Sequence, residues 1–151
     1  MNNPDQQILD YEIASIKFNR ETTLFQQKPD YWKNQGWEFA EIKFPFLKII
    51  FNGEIAIIVN CRNYDLYPPS VYYANPIDFT PLTYQEIRKL VKKTGRLILD
   101  DHPVTHLPFI CMQGFWEYHT HTSHLNDLWQ NYKQSMNIIY CVERAYSVIY
   151  E

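Results

Sequence analysis

Glycine is scarce in this chain, at four residues in 151. No phosphate-cradling glycine loop, G-x-S-x-G elbow or H-E-x-x-H helix occurs, so nucleotide chemistry, an esterase-type serine and a gluzincin-type metal site are all set aside. Basic excess is missing too. With 14 Lys and Arg against 17 Asp and Glu, the net charge is -3, and the one basic cluster, Arg88, Lys89, Lys92 and Lys93, reads as the wet face of a helix. Nucleic acid is therefore not expected as a partner. No stretch approaches the roughly 20 apolar residues of a membrane span. The opening "MNNPDQQILDYEI" has neither the basic start nor the apolar core of a signal peptide, so a cytoplasmic protein with no membrane partner is expected. Cysteine is present but odd in number. Cys61, Cys111 and Cys141 cannot close a disulfide framework and suit a reducing compartment.

Aromatic residues are abundant instead, with 12 Tyr, 9 Phe and 4 Trp, and rings of this kind favour pleated, half-buried surfaces. The length fits a single domain, 1–151. From Asp5 to about Gln27, the residues Leu9, Ile13 and Ile16, with Ile8 and Phe18 beside them, recur at helical spacing and predict an N-terminal helix ending at Pro29. "WEFAEIKF", "FLKIIF" and "EIAIIVNCR" follow, separated by Pro45 and by the hairpin dipeptide Asn52-Gly53, and predict three antiparallel strands. After "YDLYPPS" a fourth, edge strand is expected around Val71–Tyr73. Thr83 and Glu86 stand at capping-box spacing ahead of Ile87, Leu90 and Val91, which places a short helix there, ending at Gly95. "RLILD" reads as one more short strand. From Asn126 to Tyr150, the series Trp129, Tyr132, Met136, Ile139, Val142, Tyr146 and Ile149 predicts a long C-terminal helix.

The chemistry concentrates in one interval. All five histidines, His102, His106, His119, His121 and His124, fall within 23 residues that contain one charged side chain, Glu117, and one cysteine, Cys111. Thiolate, imidazole and carboxylate are zinc ligands, so Cys111, Glu117, His119 and His121 could fill a four-ligand shell of zinc or a similar divalent metal, with His124 or His102 as substitutes. A strand would put Glu117, His119 and His121 on one face, with the outer two about 13 Å apart at roughly 3.3 Å per residue. A helix would align Glu117, His121 and His124 and turn His119 elsewhere. The bland reading is an aromatic strand, Phe115, Trp116 and Tyr118, with wet polar alternates. Cys111 could equally be a nucleophile, with a neighbouring imidazole moving its proton.

Taken in order, the helix, the meander, "YPPSVYY", "HPVTHLPFIC", Trp129 and the C-terminal helix resemble the ubiquitin-conjugating-enzyme fold. His102 and Pro103 match the first two positions of that family's His-Pro-Asn motif, and Cys111, nine residues after His102, matches its thioester cysteine. Val104 stands where the family has the asparagine that supports the oxyanion, and a helix-bearing insertion from about Asp78 to Gly95 precedes His102. The spacing C-x5-E-x-H-x-H of Cys111, Glu117, His119 and His121 also resembles a bacterial family of predicted metal-binding proteins, named for its Cys-Glu-His-His signature and associated with ubiquitin-like conjugation operons. These resemblances imply an α+β, ubiquitin-conjugating-enzyme-like domain, a meander of about four strands flanked by an N-terminal and a long C-terminal helix. They imply a metal-binding component of a bacterial ubiquitin-like conjugation or antiviral defence pathway, partnered by a ubiquitin-like protein and its activating or conjugating enzymes. Two alternatives follow from them. One is a transferase carrying the ubiquitin-like protein as a thioester on Cys111, with His119 or His121 assisting proton transfer and Glu117 orienting an imidazole. The other is an inactive adaptor that meets partners through Tyr72, Tyr73 or Trp116.

Overall fold

The computed structural model describes residues 3–151. Helix α1 spans Tyr11–Gln27, starting later than Asp5 because Asp10 caps it, its carboxylate accepting from the Ile13 N–H. Its buried face is Ala14, Phe18, Thr22 and Phe25, whereas Leu9, Ile13 and Ile16 are exposed. Two stripes of helical spacing coexist in this segment, and the one carrying the two large phenylalanine rings faces the core. Pro29 does not merely end α1: it opens a second short helix, α2 (Pro29–Asn34), from the first turn, where its missing N–H costs nothing.

Strands β1 (Trp37–Lys43), β2 (Phe46–Phe51), β3 (Ile55–Asn60) and β4 (Ser70–Ala74) form an antiparallel sheet in the order β1-β2-β3-β4. Asn52 and Gly53 both take positive φ, 52° and 68°, in the mirror-image turn that fits the twist of a hairpin between β2 and β3. Leu47, Ile49 and Phe51 alternate inward along β2, and with Ile57, Val59, Val71 and Tyr73 they meet α1 and the C-terminal helix. The second face of the sheet carries a smaller cluster, Ala56, Ile58 and Ala74, beneath Phe46, Ile50, Tyr72 and Phe79.

Helix α3 (Tyr84–Leu90) has the full capping box, Thr83 with Glu86, and stops short of Gly95. Strands β5 (Ile98–Leu99) and β6 (Phe109–Ile110) pair as a small separate ladder. Residues 116–120 are helical (α4, Trp116–Thr120), so the strand reading of this stretch is corrected. The C-terminal helix, α5 (Ile138–Tyr150), is shorter than its periodicity suggested. Residues 126–137 are mostly irregular: Trp129 donates to the Asp65 carbonyl, tying the segment to the connection between β3 and β4, and Tyr132 donates to the Asp127 carboxylate within the segment. Asn137 caps α5, and the Glu21 carboxylate adds a bond to the Ile138 N–H while accepting from Tyr64. The result is an α+β fold with a four-stranded antiparallel sheet and helices at both ends. Among the described residues no helix is long and apolar enough to cross a membrane.

Candidate functional site

The site is built on the segment after β6. Cys111 follows that strand directly, its N–H bonded to the Leu97 carbonyl at 2.8 Å. Gly114, at φ +92°, then turns the chain, and a side chain there would crowd Met136 and Tyr140 at 3.1 Å. Helix α4 begins two residues later and ends where His121 adopts extended backbone (φ -71°, ψ 139°), so Thr122–His124 forms a separate 3-10 turn. This break takes His124 off the α4 face and seats it beside Cys111. The Cys111 Sγ to His124 Nε2 distance is 3.6 Å, and both residues are half-buried.

The role of each imidazole follows from which of its nitrogens has a spare lone pair. A ring nitrogen that accepts a backbone N–H is unprotonated and already engaged. His102 is fully buried, and its Nδ1 accepts from the Val104 N–H at 3.1 Å while its Nε2 donates to the Glu117 carbonyl at 2.9 Å. Burial lowers its pKa below the ordinary imidazole range, keeping it neutral. His119 accepts from the Gly114 N–H at Nε2, 3.0 Å, and donates from Nδ1 to the Asp127 carbonyl, 2.8 Å. His121 accepts from the Ser123 N–H at Nδ1, 3.1 Å, capping the 3-10 turn, and lies against Phe109. These three rings are structural ties as placed. His106 is exposed and pairs with Asp101.

Glu117 points to the sheet. Its Oε1 accepts from the Val71 N–H at 2.6 Å and from Ser70 Oγ at 3.3 Å, and its Oε2 is buried without a partner. Burial pushes this carboxyl up to about 8, the β4 hydrogen bonds only partly opposing it. Glu117 thus fastens α4 to the edge strand β4.

Under His124 lies a second group of side chains. The Tyr118 ring stacks on the His124 imidazole, centroids 4.1 Å apart and planes 14° from parallel. Tyr118 and Tyr132 both donate to the Asp127 carboxylate at 2.6 Å, and these bonds hold Asp127 below its usual range. None of Tyr118, Asp127 and Tyr132 stood out in the sequence as a site residue. A signal did exist: Asp127 is the lone charged residue between Glu117 and Lys133.

Cys111, Glu117, His119 and His121 therefore do not converge. Among the described residues no three His, Cys, Asp or Glu side chains group into a metal shell. Cys111 and the former substitute His124 do come together, and their spacing has a double meaning. It permits a bent S–H···N contact, and it matches the edge of a tetrahedral zinc shell, about 3.6 Å for bonds of roughly 2.3 Å to sulfur and 2.05 Å to nitrogen. His121 could supply a third ligand by giving up its bond to Ser123. Burial alone raises the Cys111 thiol pKa, so the resting sulfur keeps its proton and attack requires an acceptor for it. Cys61 and Cys141 are buried and more strongly raised, hence inert.

Comparison with known proteins adds family membership. The Y4jH-like family model, described as the Y4jH family, matches residues 9–96. The chain is also similar to the uncharacterized protein y4jH of Sinorhizobium fredii, 27% identical over 155 aligned positions that cover 83% of this chain and 76% of that protein. The family-model match takes in α1, the four-stranded sheet and α3, and ends before Cys111. On that match, more than half its length, the chain belongs to the Y4jH family.

Proposed function

We propose that this protein is a thiol carrier of the ubiquitin-conjugating type, in which Cys111 accepts the C-terminal acyl group of a ubiquitin-like protein. The observation that carries the proposal is the pairing of Cys111 Sγ with His124 Nε2 at 3.6 Å, on a half-exposed turn directly after β6. The surrounding order supports it: an N-terminal helix, a four-strand meander, the Tyr67-Pro68-Pro69 loop, His102-Pro103 and a C-terminal helix. His102, fully buried and bonded at both ring nitrogens, braces the loop that leads to the cysteine.

In the loading step Cys111 Sγ attacks the carbonyl carbon of a thioester held by an activating enzyme, and the Cys111 proton passes to His124 Nε2. Collapse of the tetrahedral intermediate breaks the old carbon–sulfur bond, and the departing thiolate takes that proton back. His124, rather than His119 or His121, is the proton acceptor in this reading, because the acceptor nitrogens of the other two are engaged by Gly114 and Ser123. In the second step an acceptor amine attacks the Cys111 thioester and releases the thiol. The setting is a bacterial ubiquitin-like modification or defence pathway. Incubation with a ubiquitin-like protein, its activating enzyme and ATP should give a reductant-sensitive adduct that disappears in Cys111→Ala. Pathway activity that survives Cys111→Ala would instead favour an adaptor of the same fold.

One observation favours a second reading, a zinc-type centre on Cys111 and His124. Their separation equals a tetrahedral edge, and His121 lies near, its ring centroid 5.8 Å from that of His124. Metal analysis of protein purified without chelator would then give about one equivalent, lost in the Cys111→Ala, His124→Ala double variant.

A further inference from the structure

His124 sits, itself half-buried, at the end of a short and otherwise exposed 3-10 turn whose own backbone does little to fix the imidazole. A surface histidine left to itself divides its time among staggered χ1 wells, only one of which faces a given neighbour. Here the Tyr118 ring stacks flat on the imidazole, centroids 4.1 Å apart, and the His121 ring lies farther off at 5.8 Å. The Tyr118 ring is fixed in turn. Its hydroxyl donates to Asp127 Oδ2 at 2.6 Å, the other carboxylate oxygen accepts from Tyr132 at 2.6 Å, and the Asp127 carbonyl accepts from His119 Nδ1 at 2.8 Å. His119 is itself locked by the Gly114 N–H, on the turn that follows Cys111. The chain of contacts thus closes from the cysteine turn, through His119, Asp127 and Tyr118, back to the imidazole that faces the sulfur.

We propose that Tyr118, anchored by Asp127, is a positioning residue that holds the His124 imidazole against Cys111. The inference rests on the reading of Cys111 and His124 as a nucleophile and its proton acceptor, and it assigns Tyr118 no contact with substrate. It also gives His119 a purpose other than coordination: it bonds the Asp127 backbone to the cysteine turn, keeping both ends of the assembly in register.

The test is a double-mutant cycle on the rate at which iodoacetamide alkylates Cys111, read by peptide mass spectrometry at one pH. Buried Cys61 and Cys141 serve as internal controls. His124→Ala should slow Cys111 alkylation; an unchanged rate would overturn the nucleophile reading itself and this inference with it. Given that slowing, Tyr118→Leu should slow the rate about 3- to 6-fold, the loss expected when one χ1 well becomes three and the two-fold χ2 is freed with it. The same substitution in the His124→Ala background should add nothing, because Tyr118 acts only through the imidazole. Tyr118→Phe keeps the ring and should restore most of what Leu loses. A Leu effect that persists in the His124→Ala background, or Phe as slow as Leu, would overturn the positioning role. Should Tyr118→Leu fail to fold, Asp127→Asn is the substitute: it loosens the anchor and should slow alkylation about 2- to 3-fold, again only when His124 is present.

Discussion

The sheet half of the molecule and the cysteine half are held together by different physics. From α1 to β4 the chain is fixed by ladder hydrogen bonds and by a continuous apolar layer of Phe18, Leu47, Ile49, Phe51, Ile57 and Val59. From β5 to Asn137 the regular elements are two to five residues long, and side chains replace the ladders. His102 joins its own loop to α4, Glu117 joins α4 to β4, and His119 joins the Gly114 turn to Asp127. Short irregular segments leave backbone N–H and C=O groups without partners, and an imidazole, with one donor and one acceptor, can satisfy two of them at once. The concentration of histidines therefore has a structural cause as well as a chemical one. Three of the five, His102, His119 and His121, are ties, His106 is an exposed partner of Asp101, and His124 is left to face the sulfur.

This contrast can be broken at either end. Ile57→Ala, in the fully buried β3, should cost about 3–4 kcal/mol in a denaturant titration through lost transfer energy and a residual cavity. His102→Ala should cost about 2–3 kcal/mol, because it strands the buried Glu117 carbonyl of α4 and the partly buried Val104 N–H. An equal or larger cost at His102 would mean that the ties outweigh the apolar layer.

Glu117 gives a pH-dependent break. Its carboxyl titrates at about 8 in the fold against a reference of 4.5, so between those values the folded chain holds a proton that the unfolded chain has released. The sign is fixed by that difference: stability falls as pH rises through this window, with a slope of up to about 1.4 kcal/mol per pH unit from this group. Glu117→Gln should flatten the slope and be more stable than wild type at pH 8, as measured by denaturation midpoints at pH 5, 6.5 and 8. The smallest expected effect on stability is that of Cys111→Ala, within about 1 kcal/mol, since this side chain is half-exposed and ties nothing together.

Legibility in the sequence followed the same divide. The alternation in "FLKIIF", the Asn52-Gly53 turn and the Thr83–Glu86 box are local signals, and each produced the element it announced. The inward face of α1 was not legible, because Leu9, Ile13 and Ile16 offer helical spacing as good as that of Ala14, Phe18, Thr22 and Phe25. Around Cys111 the sequence showed which residues are chemically capable. It could not show which ring lone pairs were already engaged, since Gly114, Ser123 and Val104 take them through tertiary or turn geometry. The helix break at His121 likewise lies beyond periodicity, and it promotes His124 from a substitute ligand to the partner of the thiol.

The most direct test of the central claim, that Cys111 is a free thiol served by His124, is the alkylation rate of Cys111 in wild type and in His124→Ala, with metal content measured on the same samples. The account predicts modification of Cys111 ahead of buried Cys61 and Cys141 in metal-free wild-type protein and a several-fold slower rate in His124→Ala. A Cys111 that resists alkylation until a chelator removes about one equivalent of metal would contradict it.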